Sequence, residues 1–81
     1  MTTKMKFEIE KILEGYLEVA REQMVPTARF VEDLYADLLG IIEIVLAVEE
    51  TFQIEIDDEA VEKILTVGDL FKCVEERVGR A

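Results

Sequence analysis

The chain has 81 residues and a net charge of −10, from 19 acidic and 9 basic side chains. This excess of negative charge argues against binding to nucleic acid or to anionic membranes, and it favours partners with basic surfaces. The length predicts a single domain over residues 1–81 with a modest core. Because the sequence contains no histidine and no serine, catalysis by a Ser-His or Cys-His pair is excluded.

The first predicted helix, Thr3–Gln23, has apolar residues at helical spacing on one face and charged residues on the other. Gly15 costs about 1 kcal/mol relative to alanine inside a helix, so packing has to offset that cost. The positions expected to face inward are Phe7, Ile9, Ile12, Leu13, Tyr16, Leu17 and Ala20.

A loop is predicted over Met24–Ala36. Pro26 lacks the backbone N–H that would continue the first helix. Phe30 and Leu34 are expected to fill the core from this loop. An irregular loop of this length is typical of a functional or partner-facing segment.

The second predicted helix, Asp37–Phe52, contains the most apolar run of the chain, and Asp37 is a suitable N-cap. One apolar stripe is expected to face the core, and it consists of Ile41, Ile44, Val45, Val48 and Phe52. A helix in so small a domain can bury one stripe only, so a second stripe should stay exposed beside acidic residues. These expected partner-binding residues are Leu39, Ile42, Glu43, Leu46, Glu49 and Glu50. An exposed apolar stripe edged by acids indicates docking to a basic partner, although a core helix with a solvated edge gives the same pattern.

A short helix is predicted at roughly Glu59–Ile64, capped by Asp57 or Asp58, after a segment in which Ile54 and Ile56 turn inward. Four acidic residues cluster here: Asp57, Asp58, Glu59 and Glu62. Such a cluster suits weak divalent-cation binding, but acids are also favoured at a helix N-terminus by the helix dipole. We favour the dipole explanation and expect no metal site.

The last predicted helix begins after a capping box formed by Thr66 and Asp69, and it runs to about Val78 with Gly79 as its stop. Cys73 lies in this helix and is expected to be buried and inert. The sequence therefore predicts an all-α fold: a small up-and-down four-helix bundle with three long helices and one short.

Three stretches, Phe30–Asp37, Glu49–Asp58 and Glu62–Leu70, follow one another in the spacing of a known family. Together with the helix between them they resemble the acyl carrier proteins, without gaps, over roughly residues 30–75. The family's Asp-Ser-Leu motif stands here as Asp37-Leu38-Leu39, which makes these residues the expected cofactor-binding position. The serine that carries 4'-phosphopantetheine in the family is therefore replaced by Leu38, and Tyr35 stands where the family often has glycine.

The resemblance implies a non-catalytic carrier of fatty-acid or related lipid or polyketide biosynthesis. In such a carrier, the second helix is presented to basic surfaces of synthesis enzymes and acyltransferases. It also implies a bundle that can shelter an acyl chain, and the residues expected to line that cavity are Ile41, Val45, Ile56, Ile64 and Leu65. A phosphopantetheinyl transferase would act on the chain only if serine were restored at position 38, because Leu38 has no hydroxyl.

Three explanations of Leu38 remain open at this point: a natural relative that has lost acyl carriage, a carrier altered at this site, and a sequence error or another mode of modification. One alternative function is a non-carrier interaction or regulatory protein that keeps the docking surface, and a remoter one is an acidic mimic of nucleic acid.

The single cysteine allows no intramolecular disulfide, and Met1–Glu10 does not resemble a signal peptide. We therefore expect a cytoplasmic monomer that does not insert into membranes.

Overall fold

The computed structural model describes residues 2–79, which fold into four α-helices. Their bounds are α1 (Thr3–Tyr16), α2 (Leu38–Phe52), α3 (Asp58–Glu62) and α4 (Val67–Val78). A 3-10 segment, Arg21–Gln23, lies between α1 and α2. Over these residues the chain forms no β-strand, only an isolated bridge between Arg29 and Thr66. The predicted all-α fold with three longer helices and one short helix is therefore confirmed.

The first helix is shorter than the sequence predicted, because it ends at Tyr16 and not at Gln23. Leu17 is already extended, with φ −117° and ψ 132°, and its side chain is buried. The guanidinium of Arg21 then returns to α1, where Nε lies 2.7 Å from Glu14 Oε1. It also lies 4.6 Å from the centre of the Phe7 ring. A longer helix would lose these contacts and would also contain Gly15 as an interior residue, so tertiary contacts outweigh the helical periodicity.

The inward face predicted for α1 is only partly correct. Ile9, Leu13 and Leu17 are buried, and Ile12 packs at the edge of the core. Three predicted members are instead exposed: Phe7, Tyr16 and Ala20. Phe7 and Tyr16 are adjacent to inward positions on the helix, so the predicted inward face included residues that lie just outside it.

The core combines buried residues of α1, α2 and α4 with buried residues of the segments that connect the helices. On α2 the predicted inward stripe is confirmed, since Ile44, Val45 and Val48 are buried and Ile41 and Phe52 pack beside them. On α4 the buried positions are Val67, Leu70 and Val74. Burying these aliphatic side chains is the dominant stabilising contribution, at about 1.5–3 kcal/mol each.

The loop before α2 is fixed by backbone hydrogen bonds to the segment that leads into α4. Its three donor–acceptor pairs are Phe30 N–H to Leu65 O (3.0 Å), Val67 N–H to Ala28 O (3.0 Å) and Gly68 N–H to Pro26 O (2.9 Å). Phe30 and Leu34 are buried as predicted. The residues that enter α2 are thus held against the bundle although they form no regular element.

The two C-terminal helices begin as the sequence predicts. Asp57 caps α3 by accepting the Ala60 N–H at 2.9 Å, although α3 ends at Glu62, two residues before the predicted end. The capping box of α4 is present: Thr66 Oγ1 accepts the Asp69 N–H at 3.1 Å, and Asp69 Oδ2 accepts the Thr66 N–H at 3.1 Å. The helix ends at Val78, followed by Gly79 as predicted.

Candidate functional site: the N-terminus and outer face of α2

The N-terminus of α2 is capped by the side chain of Asp37. Asp37 Oδ1 accepts the Gly40 N–H at 2.7 Å, as expected of an N-cap aspartate. Leu38 is the first residue of the helix, with 72% of its surface exposed, and Leu39 follows with 64% exposed. The structure therefore brings the three residues of the expected attachment motif together at an accessible helix end. Leu38 presents only hydrocarbon there.

The outer face of α2 carries the second apolar stripe. Leu39, Ile42 and Leu46 remain exposed, at 64%, 42% and 58% of their surfaces, which confirms the predicted exposure. Glu43 and Glu50 are exposed as well. We call this surface the docking face: Leu39, Ile42, Glu43, Leu46 and Glu50.

Glu49, which the sequence grouped with these residues, has a different environment. Its side chain is partly buried, and Oε2 accepts the Ile56 N–H at 2.7 Å. Glu49 therefore fixes the segment after α2 to the helix. Its carboxylate is less available to a partner than those of Glu43 and Glu50.

Tyr35 is a conspicuous surface residue that the sequence reasoning did not include in the site. It has 85% of its surface exposed and a left-handed backbone, with φ 58°. Its neighbours Leu34 and Ala36 are buried, and the Ala36 N–H donates to Phe30 O at 2.8 Å. These anchors hold the backbone of Tyr35 in a conformation that glycine adopts more easily. The available signal was the occurrence of tyrosine where the resembling family often has glycine.

The loop that precedes α2 carries a local group of ion pairs around Arg29. Arg29 Nε lies 3.4 Å from Glu32 Oε2 and 3.4 Å from Asp33 Oδ2. The backbone N–H of Arg29 also donates to Asp33 Oδ2 at 2.8 Å, and this bond, with the guanidinium, lowers the pKa of Asp33 below its ordinary value. Asp33 is thus ionised near neutral pH, and Arg29 is already engaged by acidic neighbours.

The residues expected to line an acyl cavity are only partly brought together. Ile41, Val45 and Ile64 line an apolar cleft that has no room for a water molecule, and the cleft is completed by Phe30, Ile44 and Leu70. Ile56 is buried but does not line this cleft, because its backbone is held at the far end of α2 by Glu49. Leu65 is exposed and lines a neighbouring groove of about 350 Å³. Phe30, Ile41 and Ile64 line both spaces and so separate the groove from the core.

The acidic cluster around α3 does not assemble metal ligands. Within residues 2–79, no group of three or more acidic or cysteine side chains is placed to hold a metal ion. Asp57 instead caps α3 and lies 3.6 Å from the Arg77 guanidinium. Cys73 is half-buried, and this burial raises its pKa, so the thiol is protonated at neutral pH and is a weak nucleophile.

Comparison with known proteins identifies this arrangement. The family model described as phosphopantetheine attachment site matches residues 8–74. The acyl carrier proteins of Helicobacter pylori strains J99 and 26695 are 45% and 44% identical to the chain over 69 residues, which cover 85% of this chain and 88% of theirs. The chain belongs to the acyl carrier protein family.

A solved acyl carrier protein extends the family match to three dimensions. The protein from Enterococcus faecalis superposes with a TM-score of 0.81 at 31% identity, covering 95% of this chain and 99% of that one. Acyl carrier proteins are carriers and not catalysts, which agrees with a site formed by a helix end and an open face. Among the described residues of this acyl carrier protein homologue, no helix has the length and apolar character needed to cross a membrane.

Proposed function

We propose that this chain is a carrier-type scaffold of fatty-acid or related lipid or polyketide biosynthesis that docks on carrier-dependent enzymes without bearing 4'-phosphopantetheine. The observation that carries this proposal is Leu38 at the first position of α2, after the Asp37 cap. A helix N-terminus suits a phosphodiester, because its N–H groups and its dipole favour an anion. Attachment needs a hydroxyl at that position, and the sequence has neither a serine there nor a serine elsewhere.

The docking face supports binding to basic enzyme surfaces. Glu43 and Glu50 border the exposed Leu39, Ile42 and Leu46 on a protein of net charge −10. Charged residues raise the encounter rate and set the orientation, while the desolvated apolar residues contribute most of the binding free energy. The proposal includes a cytoplasmic monomer, supported by the single cysteine and by mutual repulsion of the negative molecules.

The cleft is closed, so it could hold an acyl chain only after the side chains around it move apart. An acyl chain entering from the groove would have to part Phe30, Ile41 and Ile64, since these residues line both the groove and the cleft. Val45 would line the deeper part of such a space, and Leu65 would lie at its mouth. This arrangement suits a bundle that opens for cargo, but the closed state is stable by itself because its apolar residues are packed against one another.

A second candidate is a non-carrier interaction or regulatory protein that uses the same docking face. The observation in its favour is that Leu38, the first residue of α2, and Tyr35 in the preceding loop are both largely exposed. A carrier would need a hydroxyl at position 38 and could use glycine at position 35. The two candidates agree on the docking face and differ in whether position 38 can still be recognised for attachment.

The deciding experiment measures the intact mass of the Leu38→Ser variant after incubation with coenzyme A and a phosphopantetheinyl transferase. We expect a gain of one phosphopantetheine in this variant, and no gain in the parent chain or in Leu39→Ser, the matched control at the next residue. If Leu38→Ser also remains unmodified, the attachment surface has diverged and the carrier proposal is wrong. The interaction-protein candidate would then be preferred.

A further inference from the structure

One peptide group in the segment between α2 and α3 is held by charged side chains from two different helices. The backbone N–H of Ile56 donates to Glu49 Oε2, on α2, at 2.7 Å. The carbonyl oxygen of Glu55, which belongs to the same peptide group, accepts from Arg77 Nε, on α4, at 3.2 Å. Hydrogen bonds to charged groups are stronger than neutral ones, and the Arg77 side chain is only 21% exposed. We call this arrangement, Glu49 and Arg77 on the Glu55–Ile56 peptide, the peptide clamp.

The peptide clamp also fixes the start of α3. Asp57 follows the clamped peptide, and the Oδ1 atom that accepts the Ala60 N–H lies 3.6 Å from the Arg77 guanidinium. The helix itself has five residues and none of them is buried, so its packing holds it less firmly than that of the longer helices. After its end, the carbonyl oxygen of Leu65 accepts the Phe30 N–H at 3.0 Å. The position of α3 therefore depends on the clamp at one end and on Leu65 at the other.

The cleft is closed on the side of α3 by Ile64. This residue follows α3, and its N–H donates to Val61 O at 3.1 Å, so it moves with the helix. Phe30 and Ile41, the other two side chains between the groove and the cleft, are held more firmly. Phe30 has backbone hydrogen bonds at both its N–H and its carbonyl group, and Ile41 belongs to α2. Opening the cleft is therefore least costly by movement of α3.

We propose that α3 is a lid over the apolar cleft and that the peptide clamp is its latch. When the clamp breaks, α3 turns about Leu65, and Ile64 leaves the wall of the cleft so that an aliphatic chain can enter. Glu49 and Arg77 are thus positioning residues, which act on the cleft through the backbone that they hold. This inference rests on the part of the proposed function that gives the cleft to an acyl chain.

Hydrogen exchange followed by NMR tests whether the clamp controls α3. In Arg77→Ala and in Glu49→Ala, the amides of Ala60 and Val61 should exchange about tenfold faster than in the parent, as expected when one hydrogen bond to a charged group is lost. The amide of Val48, a buried residue of α2, should change much less, because only α3 opens. The two variants break the clamp from opposite sides, so either one tests it if the other does not fold.

Matched variants separate the clamp from the loss of charge. Glu49→Gln keeps an oxygen that can accept the Ile56 N–H, so its exchange rates should stay closer to those of the parent than the rates of Glu49→Ala. Glu50→Ala and Lys72→Ala remove an exposed charge of the same sign from α2 and α4 respectively, and they should leave exchange in α3 unchanged.

Binding of an aliphatic probe tests whether movement of α3 opens the cleft. The probe is 1-decanol, which is uncharged and so is not repelled by the acidic protein, and its binding is followed through the methyl resonances of Val45 in the cleft. The apparent affinity of a ligand for a rarely populated state is proportional to the population of that state. Arg77→Ala should therefore bind 1-decanol more tightly than the parent, by the same factor as its increase in exchange rate at Ala60.

The outcomes that overturn the inference differ from those that overturn the proposed function. Unchanged exchange in α3, or faster exchange without tighter binding of 1-decanol, shows that the clamp is not a latch of the cleft. Equal acceleration at Ala60 and Val48 means that the clamp contributes only to global stability, which also overturns the inference. Modification of Leu38→Ser by a transferase depends on none of these results, so its failure overturns attachment at position 38 and leaves the lid to be decided by exchange and binding.

Discussion

At the scale of single residues, Tyr35 provides a test of backbone strain. Replacing it by glycine removes a Cβ from the left-handed region, which costs about 1–2 kcal/mol in an L-residue, and adds freedom to the unfolded chain worth about 0.4–1 kcal/mol. The ring is largely exposed, so little packing is lost. We expect Tyr35→Gly to be about 0.5 kcal/mol more stable in urea unfolding followed by circular dichroism.

The control for this prediction is the same substitution in a helix. Tyr16 is the last residue of α1 and is also exposed, so Tyr16→Gly should lower the free energy of unfolding by up to about 1 kcal/mol. Opposite signs for the two tyrosines would identify the left-handed backbone as the cause. Destabilisation by both would mean that Tyr35 stabilises the fold through its side chain.

Gly68 is required for a close approach between two chain segments. A Cβ on Gly68 would lie 2.9 Å from the carbonyl oxygen of Pro26, the same atom that accepts the Gly68 N–H. Because a backbone atom cannot move aside cheaply, Gly68→Ala should destabilise the protein by about 1–3 kcal/mol in chemical denaturation. Gly15→Ala is the matched control: no atom lies within 4 Å of its new Cβ, so this substitution should stabilise α1 by up to about 1 kcal/mol. Equal effects at the two glycines would contradict the close approach as the explanation.

At the scale of elements, the sequence specified helices best where a capping residue and an apolar stripe agree. Asp37 and the stripe ending at Phe52 gave the bounds of α2, and the pair Thr66 and Asp69 gave the start of α4. For the first helix the predicted start at Thr3 is confirmed and the predicted end at Gln23 is wrong, because the helix ends at Tyr16 and Leu17 is buried from an extended segment. The spacing of apolar residues predicts which side of a helix faces the core. It cannot predict that Arg21 contacts Phe7 and Glu14, because those contacts form only in the tertiary structure.

The capping box of α4 predicts a specific dependence of stability on pH. Asp69 accepts the Leu65 and Thr66 N–H groups, and these bonds lower its pKa below the ordinary value of 3.8. A carboxylate whose pKa is lower in the folded state stabilises the fold above its unfolded pKa, and this contribution is lost as the pH falls through the folded value. Asp69→Asn should therefore be about 1 kcal/mol less stable than the parent at pH 7, and the difference should shrink below about pH 4.

The readout for this prediction is the difference between parent and variant, because protonating the other acids changes both proteins alike. Glu62→Gln is the control: Glu62 is an exposed carboxylate at the end of α3, to which the described structure assigns no hydrogen bond or ion pair. Its stability difference from the parent should stay near zero at both pH values. If the difference in unfolding free energy between the parent and Asp69→Asn were constant with pH, the negative charge of the carboxylate would not be the cause of the stabilisation by the cap.

The outer face of α2 predicts the behaviour of a charge reversal. In the Leu38→Ser background, Glu43→Lys should lower the kcat/KM for phosphopantetheine transfer and weaken its dependence on ionic strength, since a rim charge acts mainly on the association rate. Glu62→Lys changes the net charge by the same amount on α3 and should have the smaller effect. Equal effects of the two reversals would attribute the result to overall charge and not to the docking face.

At the scale of the whole molecule, the exposed stripe of α2 was easier to predict from the sequence than the residues that line the apolar cleft. The exposure of Leu39, Ile42 and Leu46 follows from the capacity of a small bundle, which can bury one stripe of α2 and not two. The residues that line the acyl cavity could not be predicted in the same way, because the expectation that a side chain is buried does not determine which cavity it lines. Ile56 is buried outside the apolar cleft, and Leu65 lies on the groove beside it.

The net charge of −10 predicts that this protein becomes more stable as salt is added. At about 10 mM ionic strength the Debye length is about 30 Å, so repulsion is felt across the longest dimension of the molecule, 31 Å. At about 150 mM it falls to about 8 Å, and only neighbouring charges still interact. Salt also weakens exposed ion pairs such as Arg21–Glu14, but such a pair is worth only about 0–1 kcal/mol. The relief of general repulsion should therefore dominate, and the Tm should rise between these two sodium chloride concentrations.

A variant with fewer negative charges tests this explanation. The double variant Glu18→Gln/Glu22→Gln removes two exposed negative charges and changes the net charge from −10 to −8. It should have a higher Tm than the parent at low salt, and its Tm should rise less as salt is added. A Tm that fell with salt in the parent would mean that the local ion pairs outweigh the repulsion of the whole molecule.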